Sequence, residues 1–342
     1  MRMVRRSVLC LLAVVGAVAL CETILRTCPA RLTRDVMREF YARRYLRPFG
    51  NACLPHRVKT PKPGFHFESR SPNLTLRYTT GSFLVGECRH GFRKNGTGDD
   101  RPVFGLALGD SFTQNIRLDD RDGWVSRLSQ KTGKRFVNAS CGGKGTVYHL
   151  AVAQIFIPLL KPRLVILQYA GNDLEDDRVS LGISSGTPAA MSEIVEVQRR
   201  NIRSIHRLVR AEGGRLALMF FSSQGWPLLR LDQWCRDNGI PVYIQEESKA
   251  HWPDRDFHAY HFLVDGHFND VGNDLIAEDM AALLSRHGLL SAPEVSVDPP
   301  PEAPVQMQGT DTPRVQSVFL FCLKRWGPWS ALYSRKTRRE AP

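Results

Sequence analysis

The sequence of 342 residues lacks the local signals of several common protein classes. No repeat with a period of about 20–50 residues runs along it, which argues against a solenoid or a propeller. None of its eight cysteines forms a Cys-x-x-Cys pair, so neither a zinc site nor a thioredoxin-like redox site is indicated. It also carries no zinc-finger, RNA-recognition or helix-turn-helix signature. We therefore expect no nucleic-acid partner.

The formal net charge of +13 needs another explanation. Part of the basic excess lies at the two ends of the chain, before an apolar run at residues 7–21 and after a second one at residues 315–323. Basic residues that flank apolar runs are typical of segments at a membrane surface. The charge pattern therefore predicts membrane contact through the N-terminus, and the C-terminal tail is a second candidate.

Residues 1–26 have the layout of a signal peptide or a membrane anchor, with three arginines ahead of the apolar run. The run is shorter than the ~20 residues of a usual membrane-spanning helix, and residues 17–19 resemble a cleavage site. Cleavage and anchoring both remain open, as does a buried N-terminal helix of a cytoplasmic protein. In the first two cases the rest of the chain is expected outside the cytoplasm, in a periplasmic or extracellular position.

Composition divides the rest of the chain into four segments. Residues 27–100 form an N-terminal extension and residues 101–290 the main domain. Residues 291–313 are rich in proline and predict a disordered linker. Residues 314–342 form a basic, aromatic tail, which is either an interfacial anchor, a helix docked on the domain, or disordered.

The main domain alternates short apolar runs with stretches of helical period. This alternation predicts a three-layer α/β/α fold with a mainly parallel sheet. A last helix is expected after Asn269 or Asp270, either of which can cap it. The predicted strands are residues 103–108, 135–138, 164–169, 215–222 and 241–245, and the predicted helices before the last one are residues 122–132, 146–160, 191–212 and 227–238.

Polar, glycine-bearing turns follow three of these strands, at residues 109–111, 142–145 and 171–172. The carboxyl ends of parallel strands meet at one edge of the sheet, and ligand sites of open α/β sheets form there. The sequence therefore predicts a functional site built from these three turns.

The residue types in these turns suit acyl transfer. Ser111 closes a strand-to-helix turn, where a serine is exposed and backbone N–H groups can face an oxyanion. Gly143 offers a further N–H without a Cβ in the way, and the Asn172 amide is a third donor. Near the C-terminus, His267 can act as the base, with Asp265 two residues earlier orienting its ring.

From about residue 91 to residue 284 the sequence resembles the SGNH (GDSL-like) hydrolase family, in its membrane-anchored bacterial form. A short segment at residues 90–93 is similar to one that often precedes the first family block in such members. The four blocks that carry the resemblance are residues 108–113, 137–146, 169–177 and 265–269.

The resemblance implies a flavodoxin-like hydrolase fold, in which Ser111 is the nucleophile and His267 the base. It also implies that the backbone N–H groups of Ser111 and Gly143 and the amide of Asn172 form the oxyanion hole. The chain departs from the commonest last block, because one residue separates Asp265 from His267 where two are usual. This tighter spacing is similar to that of exported relatives that modify polysaccharide O-acetyl groups.

Three functions remain open. The first is a serine esterase that hydrolyses an O-acyl ester of a glycan or a lipid through an acyl-enzyme on Ser111. The second is an O-acetyltransferase or an accessory factor in cell-surface polysaccharide modification, and the third is a non-catalytic member of the fold. None requires a metal or an organic cofactor, and the acidic run at residues 175–177 is interpreted as a solvated loop or a helix start.

Overall fold

The computed structural model of the protein describes most of residues 60–94 and 102–291. Several of the predicted segments lie largely outside the described residues. These are nearly all of the leader, most of the extension before residue 60, nearly all of the linker and the whole tail. Also outside them are short stretches at residues 64, 72–73, 82, 86–87, 185–186, 222–228, 255 and 264–265. In the N-terminal segment the described residues are Gly16, Ala19, Arg34, Asp35, Arg38 and Glu39.

Two antiparallel pairs of strands precede the main domain, in a region where the sequence predicted no strands. Tyr78, in the second strand, is buried and packs with Ile116 of the main domain in a small apolar cluster. The extension is therefore in direct contact with the main domain. The four strands are β1 (His66–Ser71), β2 (Leu74–Thr79), β3 (Phe83–Val85) and β4 (Cys88–His90).

The central sheet of the main domain has five parallel strands. They form because apolar and β-branched runs of three to six residues, buried on both faces, suit parallel pairing between helices. The strands are β5 (Val103–Leu108), β6 (Arg135–Asn138), β7 (Leu164–Tyr169), β8 (Arg215–Phe220) and β9 (Val242–Ile244).

The order of strands across this sheet is β6-β5-β7-β8-β9. Counted along the sheet, this is the 2-1-3-4-5 order of a flavodoxin-like sheet. The direction in which strands are added to the sheet reverses between β5 and β7. A crevice therefore opens beyond their carboxyl ends. The turns after these two strands carry Ser111 and Asn172 respectively.

Helices cover both faces of the sheet. Most of the described helices end at a glycine or a polar residue that serves as the C-cap. The described helices are α1 (Ser111–Gln114), α2 (Trp124–Thr132), α3 (Thr146–Leu160), α4 (Asp173–Ser180), α5 (Pro188–Ala211), α6 (Asp232–Asp237), α7 (Gln245–Ser248), α8 (Phe257–Tyr260) and α9 (Asp270–Arg286), with a 3₁₀ turn at Lys249–His251.

The two faces of the sheet pack against different helices, which follows from the alternation of side chains along each strand. In β7, Val165 and Leu167 belong to the apolar cluster that includes α3 and α5. Leu164 and Ile166 belong to the cluster that includes α2 and α9. The result is a three-layer α/β/α arrangement, which confirms the fold class predicted from the sequence.

Individual boundaries differ from the prediction where caps decide them. Helix α2 begins at Trp124, two residues later than predicted, because Gly123 is extended and serves as its N-cap. Helix α5 begins at Pro188, three residues earlier, because the Thr187 side chain accepts the N–H of Ala190. Asn269, one of the two predicted caps, accepts the N–H of Gly272 at the start of α9.

None of the helices that the structure describes is long and apolar enough to cross a membrane. Cys141 and Cys235 are buried free thiols. Burial raises the pKa of Cys141 to about 11, so its thiol stays protonated at neutral pH. Cys141 therefore acts as a small buried side chain and not as a reactive thiolate.

Candidate active site

The turn after β5 is held tightly against the neighbouring strand β7. Gln168 of β7 accepts hydrogen bonds from the Asp110 N–H (3.1 Å) and the Thr113 hydroxyl (2.8 Å). A Cβ on Gly109 would lie 2.4 Å from Gln168 Oε1 and 2.5 Å from Thr113 Oγ1, so only glycine fits there. The packing of the Gln168 and Thr113 side chains against this turn therefore explains its glycine.

Asp110 caps the helix that carries Ser111. Its side chain is fully buried and accepts the N–H of Phe112 at 2.9 Å. Ser111 is the first residue of α1, where backbone N–H groups have no partner within the helix. The local sequence thus places the Ser111 side chain and its N–H at the start of a short helix, beside the crevice of the sheet.

His267 lies against Ser111 although 156 positions separate them in sequence. Its Nε2 atom is 2.7 Å from Ser111 Oγ. The imidazole ring stacks on the ring of Phe112, with centroids 4.6 Å apart. Its loop is anchored by a hydrogen bond from the Phe262 N–H to the His267 carbonyl (2.9 Å). The structure therefore brings together the predicted nucleophile and the predicted base.

Asp265, the predicted orienter of His267, lies outside the described residues, so its role stays a prediction.

The loop after β6 packs against Ser111. A Cβ on Gly142 would lie 3.3 Å from Ser111 Cβ, which shows how closely this loop approaches Ser111. Gly143, the predicted oxyanion donor, follows directly and has a φ of +68°. That left-handed conformation favours glycine, and the space beside its Cα is open. A substrate can therefore approach the Gly143 backbone.

Asn172 follows β7 and reaches the Ser111 turn from the other side. Its Nδ2 atom donates to Asp110 Oδ2 at 2.8 Å and to Asp176 Oδ2 at 2.9 Å. The amide is thus tied to the residue that precedes Ser111. Both of its protons are directed to carboxylates, so an oxyanion would have to displace one of these acceptors.

Three carboxylates gather around this amide. Asp110, Asp173 and Asp176 each place an oxygen within 4.8 Å of the others, a grouping that could hold a metal ion. Two of them already share the Asn172 amide as a donor. Burial raises the pKa of Asp110, and burial together with the charge of Asp110 raises that of Asp173 well above its usual range.

Asp176 is the half-buried member of this group, and burial raises its pKa to about 6. The folded protein therefore holds this proton more tightly than the unfolded chain, whose pKa is near 3.8. The resulting contribution to stability is present below about pH 4 and is lost as the pH rises through 6. We expect Asp176→Asn to stabilise the protein by about 1–2 kcal/mol more at pH 7.5 than at pH 4. Urea unfolding at both pH values measures this.

Glu175→Gln is the matched control for this prediction. Glu175 is the exposed neighbour of Asp176 in α4, and its hydrogen bond with Arg178 lowers its pKa. Its neutralisation should give no gain in stability at pH 7.5. An Asp176→Asn effect that is equal at pH 4 and pH 7.5 would contradict the assignment.

The interpretation of residues 175–177 as solvated is wrong for Asp177. This side chain is fully buried and accepts four hydrogen bonds, from Thr146 N and Oγ1, Val147 N and Gln198 Nε2. Asp177 accepts the free N–H groups at the N-terminus of α3 although it is far from them in sequence. Gly145, the residue that caps α3, has no side chain that could accept them. The other interpretation, a helix start, agrees with α4.

Sequence reasoning missed several residues that support the site. Gln168 holds the Ser111 turn, Asp110 holds Asn172, and Phe112 supports the ring of His267. One signal was available, since Gln168 is an amide within an otherwise apolar run. A polar side chain in a buried strand needs partners, and in this case they belong to the turn.

The main domain is similar in sequence to known proteins. Residues 107–275 match the GDSL-like Lipase/Acylhydrolase family. The chain is also 29% identical over 119 residues to the esterase TesA of Pseudomonas aeruginosa, an alignment that covers 33% of this chain and 52% of the relative. It thus spans about half the length of this curated relative. Sequence similarity to GDSL-like lipases and acylhydrolases therefore covers most of the main domain.

Two solved structures resemble the chain more distantly. The crystal structure of TesA has a TM-score of 0.42 at 19% identity and covers 54% of this chain and 98% of its own. The psychrotrophic esterase EstA from Pseudoalteromonas sp. has a TM-score of 0.41 at 19% identity, and the match covers 53% of this chain and 96% of the EstA chain.

Proposed function

We propose that the protein is a serine esterase that hydrolyses an O-acyl ester through an acyl-enzyme on Ser111. The observation that carries this proposal is the 2.7 Å contact between His267 Nε2 and Ser111 Oγ. A hydroxyl in hydrogen-bond contact with an imidazole can lose its proton as it attacks a carbonyl carbon. His267 then returns the proton to the leaving alcohol, and water releases the acyl group by the reverse sequence.

The proposed oxyanion hole has three donors: the N–H groups of Ser111 and Gly143 and the side chain of Asn172. Asp110 holds Asn172 beside the nucleophile through its buried oxygen. The second amide proton faces Asp176, the more exposed of the two acceptors. We assign this second proton to the oxyanion, because a half-buried carboxylate can turn towards solvent when substrate enters.

Two further roles belong to the same proposal. Asp265 would accept the Nδ1 proton of His267 and so fix the ring tautomer. The basic, apolar leader supports export or anchoring, with the main domain on the outer side of the membrane and its ester substrate there.

Substrate profiling tests the proposal. We expect the purified chain beyond the leader to release acid from p-nitrophenyl acetate or a longer acyl ester. We also expect a fluorophosphonate probe, which reacts with activated serines, to label Ser111. Acetylated sugars and lipid esters then identify the alcohol. Absence of both labelling and turnover would contradict an esterase and favour a non-catalytic member of the fold. Acyl transfer to an added glycan in place of acid release would favour the acetyltransferase.

A further inference from the structure

The extension before the main domain reaches the active site through a buried chain of hydrogen bonds. Tyr78 of β2 accepts a hydrogen bond from Gln114 Nε2 at 3.1 Å. Gln114, the last residue of α1, in turn accepts the N–H of Gly142 through Oε1 at 2.8 Å. Tyr78 and Gln114 are 1% and 6% exposed, so water competes little for either bond.

The orientation of the Gln114 amide follows from its partners. The Gly142 N–H can only donate, so it must face the amide oxygen, and the amide NH₂ is left facing the Tyr78 hydroxyl. Burial raises the pKa of Tyr78 to about 12, so the phenol is neutral throughout the physiological range. A hydroxyl, an amide and a backbone N–H therefore form one connected chain.

A second contact fixes the same helix. Arg93, which is buried, donates to the carbonyl of Gln114 at 2.8 Å and to those of Asn115 and Leu118. Its guanidinium group lies 5.1 Å from the centre of the Tyr78 ring. The extension thus satisfies the last carbonyl of α1 and two carbonyls of the loop after it, and it also holds the side chain of Gln114.

We propose that Tyr78 and Gln114 are positioning residues of the active site, which hold the Gly142 peptide so that the next N–H, that of Gly143, faces the oxyanion. The inference rests on the proposed esterase function. Gly143 has open space beside its Cα and a left-handed backbone, and it has no side chain that could restrain it. The restraint comes from Gly142, and through Gln114 from a strand outside the region that matches the hydrolase family.

The test removes hydrogen-bonding groups from this chain of hydrogen bonds. Tyr78→Phe deletes the hydroxyl and keeps the ring beside Arg93, and Gln114→Met keeps the volume and removes both hydrogen bonds. We expect kcat to fall roughly 3–10-fold in Tyr78→Phe and about 10–100-fold in Gln114→Met, with KM within twofold of wild type, because an oxyanion donor acts on the transition state. Gln114→Glu keeps the acceptor for Gly142 and should recover part of the loss.

Tyr243→Phe is the matched control. Tyr243 is also buried, and its hydroxyl is 3.3 Å from Asp279, but it belongs to the edge strand β9. Its kcat should stay within twofold of wild type at a similar melting temperature. If Gln114→Met does not fold, the kcat of Tyr78→Phe alone decides whether the positioning role holds.

The outcomes separate the two proposals. Equal kcat values for wild type, Tyr78→Phe and folded Gln114→Met overturn the positioning role alone. A matching loss in Tyr243→Phe also overturns it, since a general effect on stability would then explain the data. No turnover and no Ser111 labelling in the wild-type chain overturns the esterase proposal, and the positioning role with it.

Discussion

His267→Gln is expected to lower kcat on an activated ester by roughly four to six orders of magnitude while the fold remains intact. The glutamine side chain fills much of the same space, but it cannot accept the Ser111 proton at neutral pH. Without a base, the Ser111 hydroxyl at 2.7 Å from this position stays a weak nucleophile. Steady-state kinetics with p-nitrophenyl acetate, alongside Ser111→Ala, measures the loss.

His258→Gln controls for general damage to this region. His258 is an exposed residue of α8, nine positions before His267, and the Ser111 hydrogen bond does not involve it. Its kcat should stay within twofold of wild type. We expect the double variant Ser111→Ala with His267→Gln to lose about as much kcat as either single variant, because the two residues act as one unit. A His267→Gln variant that retains more than a tenth of the activity would exclude His267 as the base.

Much of the main domain could be predicted because its strands are buried on both faces. Such strands appear in the sequence as continuous apolar runs, and β5 and β7 lie at the predicted residues. The turns that follow them could then be placed at one edge of the sheet. The extension could not be predicted in this way, since short antiparallel strands such as β3 and β4 have no long apolar pattern and depend on tertiary contacts.

The candidate site was predictable to the level of residue types. Ser111 lies in hydrogen-bond contact with His267, and Gly143 and Asn172 lie in the turns beside Ser111, while their catalytic roles stay predictions. The partners of these residues could not be predicted. Hydrogen bonds such as that from Gln114 to Tyr78 join residues 36 positions apart, and sequence spacing carries no information on such pairs. Side-chain support is a property of the packed structure, whereas the proposed reacting groups leave a local pattern in the sequence.

Asn172→Ala is expected to lower kcat by roughly two to three orders of magnitude, or about 3–4 kcal/mol of barrier, with little change in KM. The neutral ground-state carbonyl accepts only a weak hydrogen bond, whereas the tetrahedral oxyanion accepts a strong one. The substitution also removes a donor from the buried carboxylate of Asp110, so a modest loss of stability should accompany the loss of rate. Steady-state kinetics and thermal unfolding measure the two effects separately.

Asp176→Asn separates the oxyanion role of Asn172 from its structural one. It leaves the Asn172 amide in place and changes only the acceptor of the proton that we assign to the oxyanion. A neutral acceptor competes less strongly than a carboxylate, so kcat at pH 7.5 should stay equal or rise a few-fold. A loss of rate in Asp176→Asn as large as that in Asn172→Ala would mean that the acidic cluster, and not the amide, controls the rate. An unchanged rate in Asn172→Ala would leave the backbone N–H groups of Ser111 and Gly143 as the oxyanion donors.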